Sequence, residues 1–251
     1  MGSAAEVAIA ALFGAVIGSF LNVVIHRLPR GESLVSPPSA CPECGTEIKP
    51  YDNVPVLSWL WLRGRCRNCG NSISPRYPAV ELLTAVVFAG VVAVRGAELD
   101  LLAELPFVAI LIALAGIDLE HHIIPNKIVM PAAVWAVIAG VIVDVSNLPE
   151  LLTAGAGVFL ALLLAALAYP AGMGMGDVKL AGVMGLYLGL SVVPALLAAF
   201  LAGAVVGVGI IVVTGDRKRG VPFGPFLALG GLVGVLVGPE LIDFYSDRFL
   251  S

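Results

Sequence analysis

The chain has 251 residues, of which 59% are hydrophobic and 13% charged, where an ordinary soluble domain carries about 25% charge. Its mean hydropathy of +0.99 excludes a compact soluble domain, because a chain this size cannot hide that much apolar material and still keep a polar skin. The formal net charge of −4 gives no reason to expect nucleic acid as a partner.

A membrane-spanning helix needs about 20 mostly apolar residues. The first such stretch covers about 6–25. It contains Asn22, lacks a basic lead-in and is followed by many more apolar stretches, so no cleavable signal is evident. A polar stretch, about 26–77, comes next. Apolar segments then fall at about 79–94, 101–117, 128–143, 151–169, 178–189, 192–213 and 223–241, which makes about eight in all. The segment 178–189 is short and reads as a tilted helix end, a re-entrant piece, or part of one long helix with its neighbour. The expected fold is an all-α polytopic membrane protein with about eight transmembrane segments. Residues 1–25 form the first helix, 26–77 a small zinc-bound cytoplasmic module, and 78–251 a membrane domain with seven further segments.

Basic residues set orientation by position, since Lys and Arg in short loops favour the cytoplasm. The polar stretch holds Arg27, Arg30, Lys49, Arg63, Arg65, Arg67 and Arg76. With it inside, alternation over eight segments also puts the loop 118–127, the turn 170–178 and Asp216-Arg217-Lys218-Arg219 inside. The opposite loops carry Arg95, Glu98 and Asp100, then Asp144 and Glu150, and are basic-poor. Reading 178–213 as one helix would move Arg217, Lys218 and Arg219 to the other side.

Within the polar stretch, Cys41-Pro42-Glu43-Cys44-Gly45 and Cys66-Arg67-Asn68-Cys69-Gly70 form two Cys-x-x-Cys knuckles. Four thiolates close tetrahedrally around zinc and leave no open position for water, so Cys41, Cys44, Cys66 and Cys69 read as a structural metal site. Gly45 and Gly70 suit the tight turn after each pair. Two disulfides suit an oxidising compartment better than the inferred cytoplasmic one. Redox chemistry needs only one pair, and neither begins a βαβ unit. Trp59 and Trp61 suit a membrane interface, and contact with anionic lipid accounts for the nearby arginines as well as nucleic acid would.

Two aspartates sit where spans meet loops. Asp118 ends the apolar run before Leu119-Glu120-His121-His122-Ile123-Ile124-Pro125, where Pro125 stops helix continuation. Asp177 closes Gly172-Met173-Gly174-Met175-Gly176-Asp177, whose three glycines allow close backbone approach to another chain. Loop parity puts both on the cytoplasmic side. An ionisable residue at that depth is costly unless paired, hydrated or functional. A carboxylate pair that shares a proton can activate water with its ionised member and protonate a peptide carbonyl with the other. The plain alternative is that Asp118 terminates one helix and Asp177 is the N-cap of another. His121 and His122 with a carboxylate offer a metal site, though adjacent histidines point different ways on a helix.

Taken together and in order, these strings resemble the prepilin peptidases, or type IV leader peptidases, over almost the full length. The resemblance is carried by Gly18-Ser19-Phe20-Leu21-Asn22-Val23-Val24 before Arg27-Leu28-Pro29, by the two cysteine knuckles and by Asn53-Val54-Pro55 with Ser58-Trp59. It continues in Ile73-Ser74-Pro75-Arg76-Tyr77-Pro78 with Glu81, in Asp118 with Pro125, and in Gly174-Met175-Gly176-Asp177-Val178-Lys179. The approach to the first cysteine, Pro37-Pro38-Ser39-Ala40, departs from the usual pattern. The resemblance implies a bacterial inner-membrane aspartyl endopeptidase of the GxGD type with Asp118 and Asp177 as its catalytic pair. Its substrates would be precursors of type IV pilins or type II secretion pseudopilins, cut at the cytoplasmic face after a short basic leader. Members with the cysteine-bearing loop also N-methylate the new amine with S-adenosylmethionine, and Glu32 and the Asn53 region are where determinants of that step are expected. The remaining alternatives are a leader peptidase without methylation, a different GxGD protease, and a zinc-stabilised membrane scaffold or transporter.

Overall fold

The computed structural model describes residues 1–169, 172–215 and 221–249. The basic cluster Asp216–Arg219, which entered the orientation argument, lies outside the described residues, as do Pro170 and Ala171 of the 170–178 turn. The regular elements of the described residues are helical, and the chain divides into two compact units, Met1–Ala97 and Glu98–Ser251.

The first unit contains α1 (Ala4–Arg27), the short α2 (Leu57–Trp61) and α3 (Arg76–Arg95). A reciprocal capping box opens α1: Ser3 Oγ accepts from the Glu6 amide at 3.3 Å, and Glu6 Oε2 accepts from the Ser3 amide at 2.7 Å. The helices α1 and α3 pack antiparallel through small residues. A Cβ on Gly14 would lie 2.7 Å from the Thr84 carbonyl oxygen, and one on Gly18 would lie 2.7 Å from Glu81 Cα. In lipid, where apolar burial gives helices no reason to associate, such close backbone approach supplies the packing energy. Asn22, buried in this seam, donates from Nδ2 to the Tyr77 carbonyl at 3.0 Å, which satisfies the donor side of its amide.

The second unit contains α4 (Leu101–His121), α5 (Asn126–Asp144), α6 (Leu148–Ala168), α7 (Met175–Leu188), α8 (Val192–Thr214) and α9 (Gly224–Phe249). Its core is the seam of α4, α7 and α9, where Leu111, Leu114, Ile117, Leu180, Met184 and Leu227 are almost wholly enclosed. Side-chain contacts fix the helix directions. Lys179 Nζ donates to Asn126 Oδ1 at 3.2 Å and Tyr187 Oη to the Ala132 carbonyl at 3.0 Å, so α5 and α7 run parallel. The Leu190 amide donates to Glu150 Oε1 at 3.0 Å and Gly185 seats against Gly155, so α6 and α7 run antiparallel. The chain therefore reverses at the 3₁₀ turn Val145–Asn147. By the same logic α9 is antiparallel to both α4 and α8, because Gly224 meets Asp118 and Gly231 meets Leu111, while Gly203 meets Phe223 and Gly238 meets Ser191. Tyr187 stacks on Phe107 with ring centroids 4.5 Å apart, early in α4 and late in α7. A second reversal thus falls at Gly189–Ser191, where Gly189 takes a φ of +54°.

Among the described residues six helical stretches, not the expected eight, are long and apolar enough to cross a membrane. The difference arises in two places. The segments 128–143 and 151–169 lie in one helical run, Asn126–Ala168, and 178–189 and 192–213 lie in another, Met175–Thr214. Each is interrupted only by a 3₁₀ turn, Val145–Asn147 in the first and Gly189–Ser191 in the second, so two expected segments lie in one helical run.

The glycine contacts in the second unit are stringent. A Cβ on Gly185 would approach Gly155 Cα to 2.7 Å, a backbone atom that cannot rotate away. Gly185→Ala is expected to force α6 and α7 apart and to destabilise the unit by about 1–3 kcal/mol. Reversible unfolding in detergent would measure this, and an unchanged midpoint would show that the pair has slack.

Candidate active site and metal centre

The polar stretch between α1 and α3 folds around its cysteines. In the first knuckle the Cys41 amide donates to the Thr46 carbonyl and the Gly45 amide to the Cys41 carbonyl, both at 2.9 Å. The second repeats this, with Cys66 to Asn71 at 2.8 Å and Gly70 to Cys66 at 2.9 Å. Gly45 and Gly70 sit at φ +67° and +73°, the left-handed region that such turns require. Cys41 Sγ lies 3.8 Å from Cys69 Sγ and Cys44 Sγ lies 4.0 Å from Cys66 Sγ, about twice a disulfide length. All four sulfurs fall within 4.8 Å of one another and form the single group among the described residues that could hold a metal ion. His121 and His122 form no such group.

The electrostatics of the four sulfurs favour a cation. The Thr46 side chain and amide, with Asn68, hold the Cys44 thiol down at about 6, so it is largely thiolate at neutral pH. The Cys69 and Asn68 amides lower Cys66 in the same way. Although the Asn71 amide favours its thiolate, burial and the three other sulfurs push Cys69 up to about 12. Four clustered thiolates repel, and only a positive centre lets all four ionise together.

Polar contacts tie the knuckles to the rest of their unit. Arg67, inside the second knuckle, donates from Nε and Nη2 to the Asp52 carboxylate at 2.6–3.0 Å and lies over the Tyr51 ring at 5.7 Å. That guanidinium holds the Asp52 carboxyl below its usual range and is engaged within the protein rather than offered to lipid. Trp59 donates from Nε1 to the Ile73 carbonyl at 3.1 Å and lays its ring on Gly64, so it is a structural post; Trp61 is the exposed indole. Buried Glu81 accepts from the Val56 amide at 2.7 Å. Val56 sits at φ +61°, a strained setting for a β-branched residue, and the Glu81 carboxylate holds it there.

In the second unit Asp118 lies in the last turn of α4. The helix stops because His122 takes the left-handed conformation, its amide donating to the Asp118 carbonyl at 2.9 Å, and Pro125 follows. The Asp118 side chain is buried and accepts from the Gly224 amide, the first of α9, at 2.8 Å. A carboxylate at a helix N-terminus is a favourable arrangement. Gly224 is required there, because a Cβ would lie 2.8 Å from Asp118 Oδ2. Asp177 stands in the first turn of α7. Gly174, not Asp177, is the N-cap, and the Asp177 amide donates to its carbonyl at 3.1 Å. The two carboxylates are near enough to feel each other's charge. None of Gly172, Gly174 and Gly176 uses a positive φ. Instead a Cβ on Gly176 would lie 2.9 Å from Ile124 Cβ, so the glycine lets the loop after Asp118 seat directly on the start of α7.

The fold and this site define an all-α, multi-pass membrane protein with a carboxylate pair at one end of its helices and a four-cysteine cluster between its first two candidate spans. Residues 12–95 match the family described as Bacterial Peptidase A24 N-terminal domain, and residues 105–210 match the Type IV leader peptidase family. The chain is 35% identical to a prepilin leader peptidase/N-methyltransferase of Aeromonas hydrophila, over 95% of this chain and 93% of the relative. It is 35% identical to one of Bacillus subtilis (96% and 98%) and 34% identical to one of Pseudomonas aeruginosa (93% and 91%). The chain belongs to the type IV leader peptidase family. No solved structure matches it.

Proposed function

We propose that this chain removes the leader from type IV prepilins or pseudopilins with the Asp118–Asp177 pair and then N-methylates the new amine. The observation that carries the peptidase step is the convergence of two carboxylates from the end of α4 and the start of α7. Sharing one proton, the ionised carboxylate takes a proton from water as it attacks the scissile carbonyl, and the protonated one donates to the carbonyl oxygen. Collapse of the tetrahedral intermediate returns a proton to the leaving amine. The Gly224 amide fixes the Asp118 carboxylate, and the Gly176–Ile124 contact fixes the distance between the two bearing segments. Membrane affiliation and family membership support an inner-membrane location. The arginine-rich stretch 26–77 supports placing the cleavage at the cytoplasmic face. The folded-back runs support two crossings each: 43 and 40 residues of helix extend roughly 60–65 Å, about twice the hydrocarbon thickness.

The metal we assign to the cysteines is zinc. A tetrahedron with Zn–S bonds of about 2.3 Å has edges of roughly 3.8 Å, and the facing sulfur pairs stand at 3.8 and 4.0 Å. Zinc would supply structural charge balance through Cys41, Cys44, Cys66 and Cys69. S-adenosylmethionine would supply the methyl group, with the module 26–77 as the place where that step is determined; the family relationship supports it.

The test is to incubate the purified protein in lipid with a prepilin-like substrate and S-adenosylmethionine and to read intact masses. The expected result is loss of a leader-sized mass, then gain of one methyl mass when the methyl donor is present. Cleavage with no methyl gain would leave a peptidase alone, and an unaltered panel of prepilin substrates would overturn the reading.

A further inference from the structure

Residues 54–62, between Asp52 and Arg63, carry no charge, although they lie inside the polar stretch that joins α1 to α3. They fall far short of the about 20 residues that cross a bilayer. Their polar groups are turned into the protein. The Val54 amide donates to Ser58 Oγ at 3.0 Å, and that hydroxyl donates to the Tyr51 carbonyl at 3.0 Å. The Val56 amide goes to Glu81 and the Trp59 indole to the Ile73 carbonyl. What α2 turns outward is apolar: Leu57, Leu60 and Trp61 are 65%, 59% and 82% exposed. Arg63 and Arg65, both exposed, follow directly.

The depth of α2 identifies the medium around it. Val56, the residue that opens α2, is bonded to Glu81, and Gly18 packs against Glu81 Cα. Glu81 lies about 7 Å along α3 from its first residue, and Gly18 lies roughly 13 Å of helix before the end of α1 at Arg27. The bond therefore ties the start of α2 alongside two candidate spans, inside their ends rather than beyond them. With five residues, all of α2 stays within about 8 Å of that level. The side chains that α1 and α3 leave uncovered there, Phe20, Leu82 and Leu83, are apolar and 50–55% exposed. An indole with one wet edge suits the boundary of such a band. Two arginines just past it suit the phosphates of anionic lipid.

We propose that α2 is a membrane-inserted foot: Leu57, Leu60 and Trp61 enter the leaflet on the side of the stretch 26–77, and Arg63 and Arg65 hold the headgroups of anionic lipid. The stretch between α1 and α3 is then not wholly a soluble module, because its middle returns to the bilayer. Glu81 sets the depth of the foot through the Val56 amide. Trp59, whose ring covers Gly64 two residues before Cys66, passes that depth to the second knuckle. The cysteine cluster is thereby held at a fixed height over the lipid surface by contacts that involve none of its sulfurs. The assignment does not depend on the cleavage chemistry of the aspartates.

The experiment uses the full chain in vesicles of phosphatidylcholine with a minority of phosphatidylglycerol. A photo-crosslinking side chain stands at Leu57 or Leu60, and adducts are read by intact mass. Val35, 89% exposed, is the control, because Arg27 keeps its loop at the end of α1 by donating to the Ser33 and Pro38 carbonyls at 3.0 and 3.5 Å. Lipid adducts from the two α2 sites are expected at about tenfold or more the Val35 yield. Phosphatidylglycerol is expected in them at about fivefold its share of the vesicle. Arg63→Gln combined with Arg65→Gln should return that ratio to the vesicle's own. As an independent readout, the part of the tryptophan emission that Trp61→Phe removes should be quenched by lipid brominated on its acyl chains. Equal yields from α2 and Val35, adducts with a second copy of this chain instead of lipid, or Trp61 emission untouched by bromine would overturn the proposal. Phosphatidylglycerol at its bulk share in the parent protein would overturn the headgroup assignment.

Discussion

Asp118→Asn and Asp177→Asn are each expected to lower cleavage of a prepilin-like substrate by at least about a thousandfold, with the double variant no worse than either single one. The reasoning is chemical. Asparagine keeps the size and one acceptor oxygen, but it can neither take the proton from water nor hold the proton that polarises the carbonyl. In the proposed mechanism the two carboxylates work on one shared proton, so losing either should leave the same residual activity. The structure also makes the variants good reporters. In Asp118→Asn the amide oxygen of the new side chain can still accept from the Gly224 amide, so the start of α9 should stay in place. Insertion and thermal unfolding should match the parent protein. Time courses read by intact mass would check this, and additive losses would mean that the aspartates act separately.

Cys41→Ser is expected to have the largest effect on the first unit. Bound zinc should fall from about one ion per chain to near zero, and the stretch between α1 and α3 should become rapidly cleavable by added protease. A structural zinc site supplies on the order of 10 kcal/mol to a small module. Apart from the sulfurs it is held by a handful of polar contacts, among them the Trp59 post, the Arg67–Asp52 pair and the Glu81–Val56 bond, with Cys41 its only buried cysteine. Elemental analysis and limited proteolysis measure the two effects independently. Unchanged protease resistance in a metal-free variant would mean that the loop is held by its own packing.

Much of this was legible because it is written locally. Continuous hydropathy marks helices whatever they pack against, and two Cys-x-x-Cys knuckles with a glycine after each specify turns that bring four sulfurs together. The count of crossing helices was less legible: the sequence separates eight apolar segments, whereas short 3₁₀ turns at Val145–Asn147 and Gly189–Ser191 join two pairs of them into single long runs, leaving six among the described residues. Loop parity anticipated that Asp118 and Asp177 share one end of the helix bundle. Their supports were invisible for a different reason. Gly224 is 106 positions from Asp118, and Gly176 looks like a device for substrate approach until its neighbour Ile124 is seen. The only local hint at Gly224 is the flanking pattern Pro222-Phe223-Gly224-Pro225, which marks a helix start but names no partner. Glu81 reads as an ordinary span-flanking charge until the strained Val56 amide it holds is located.

The division of the chain at Ala97 and Glu98 has an evolutionary corollary. Both aspartates, the Gly224 amide and the Ile124–Gly176 contact are encoded downstream of that boundary, and all four cysteines upstream of it. Insertion, loss or exchange of the upstream coding segment would leave the codons for these supports of the carboxylate pair unaltered. Selection can therefore act on the cysteine-bearing segment and on the aspartate-bearing segment at different rates.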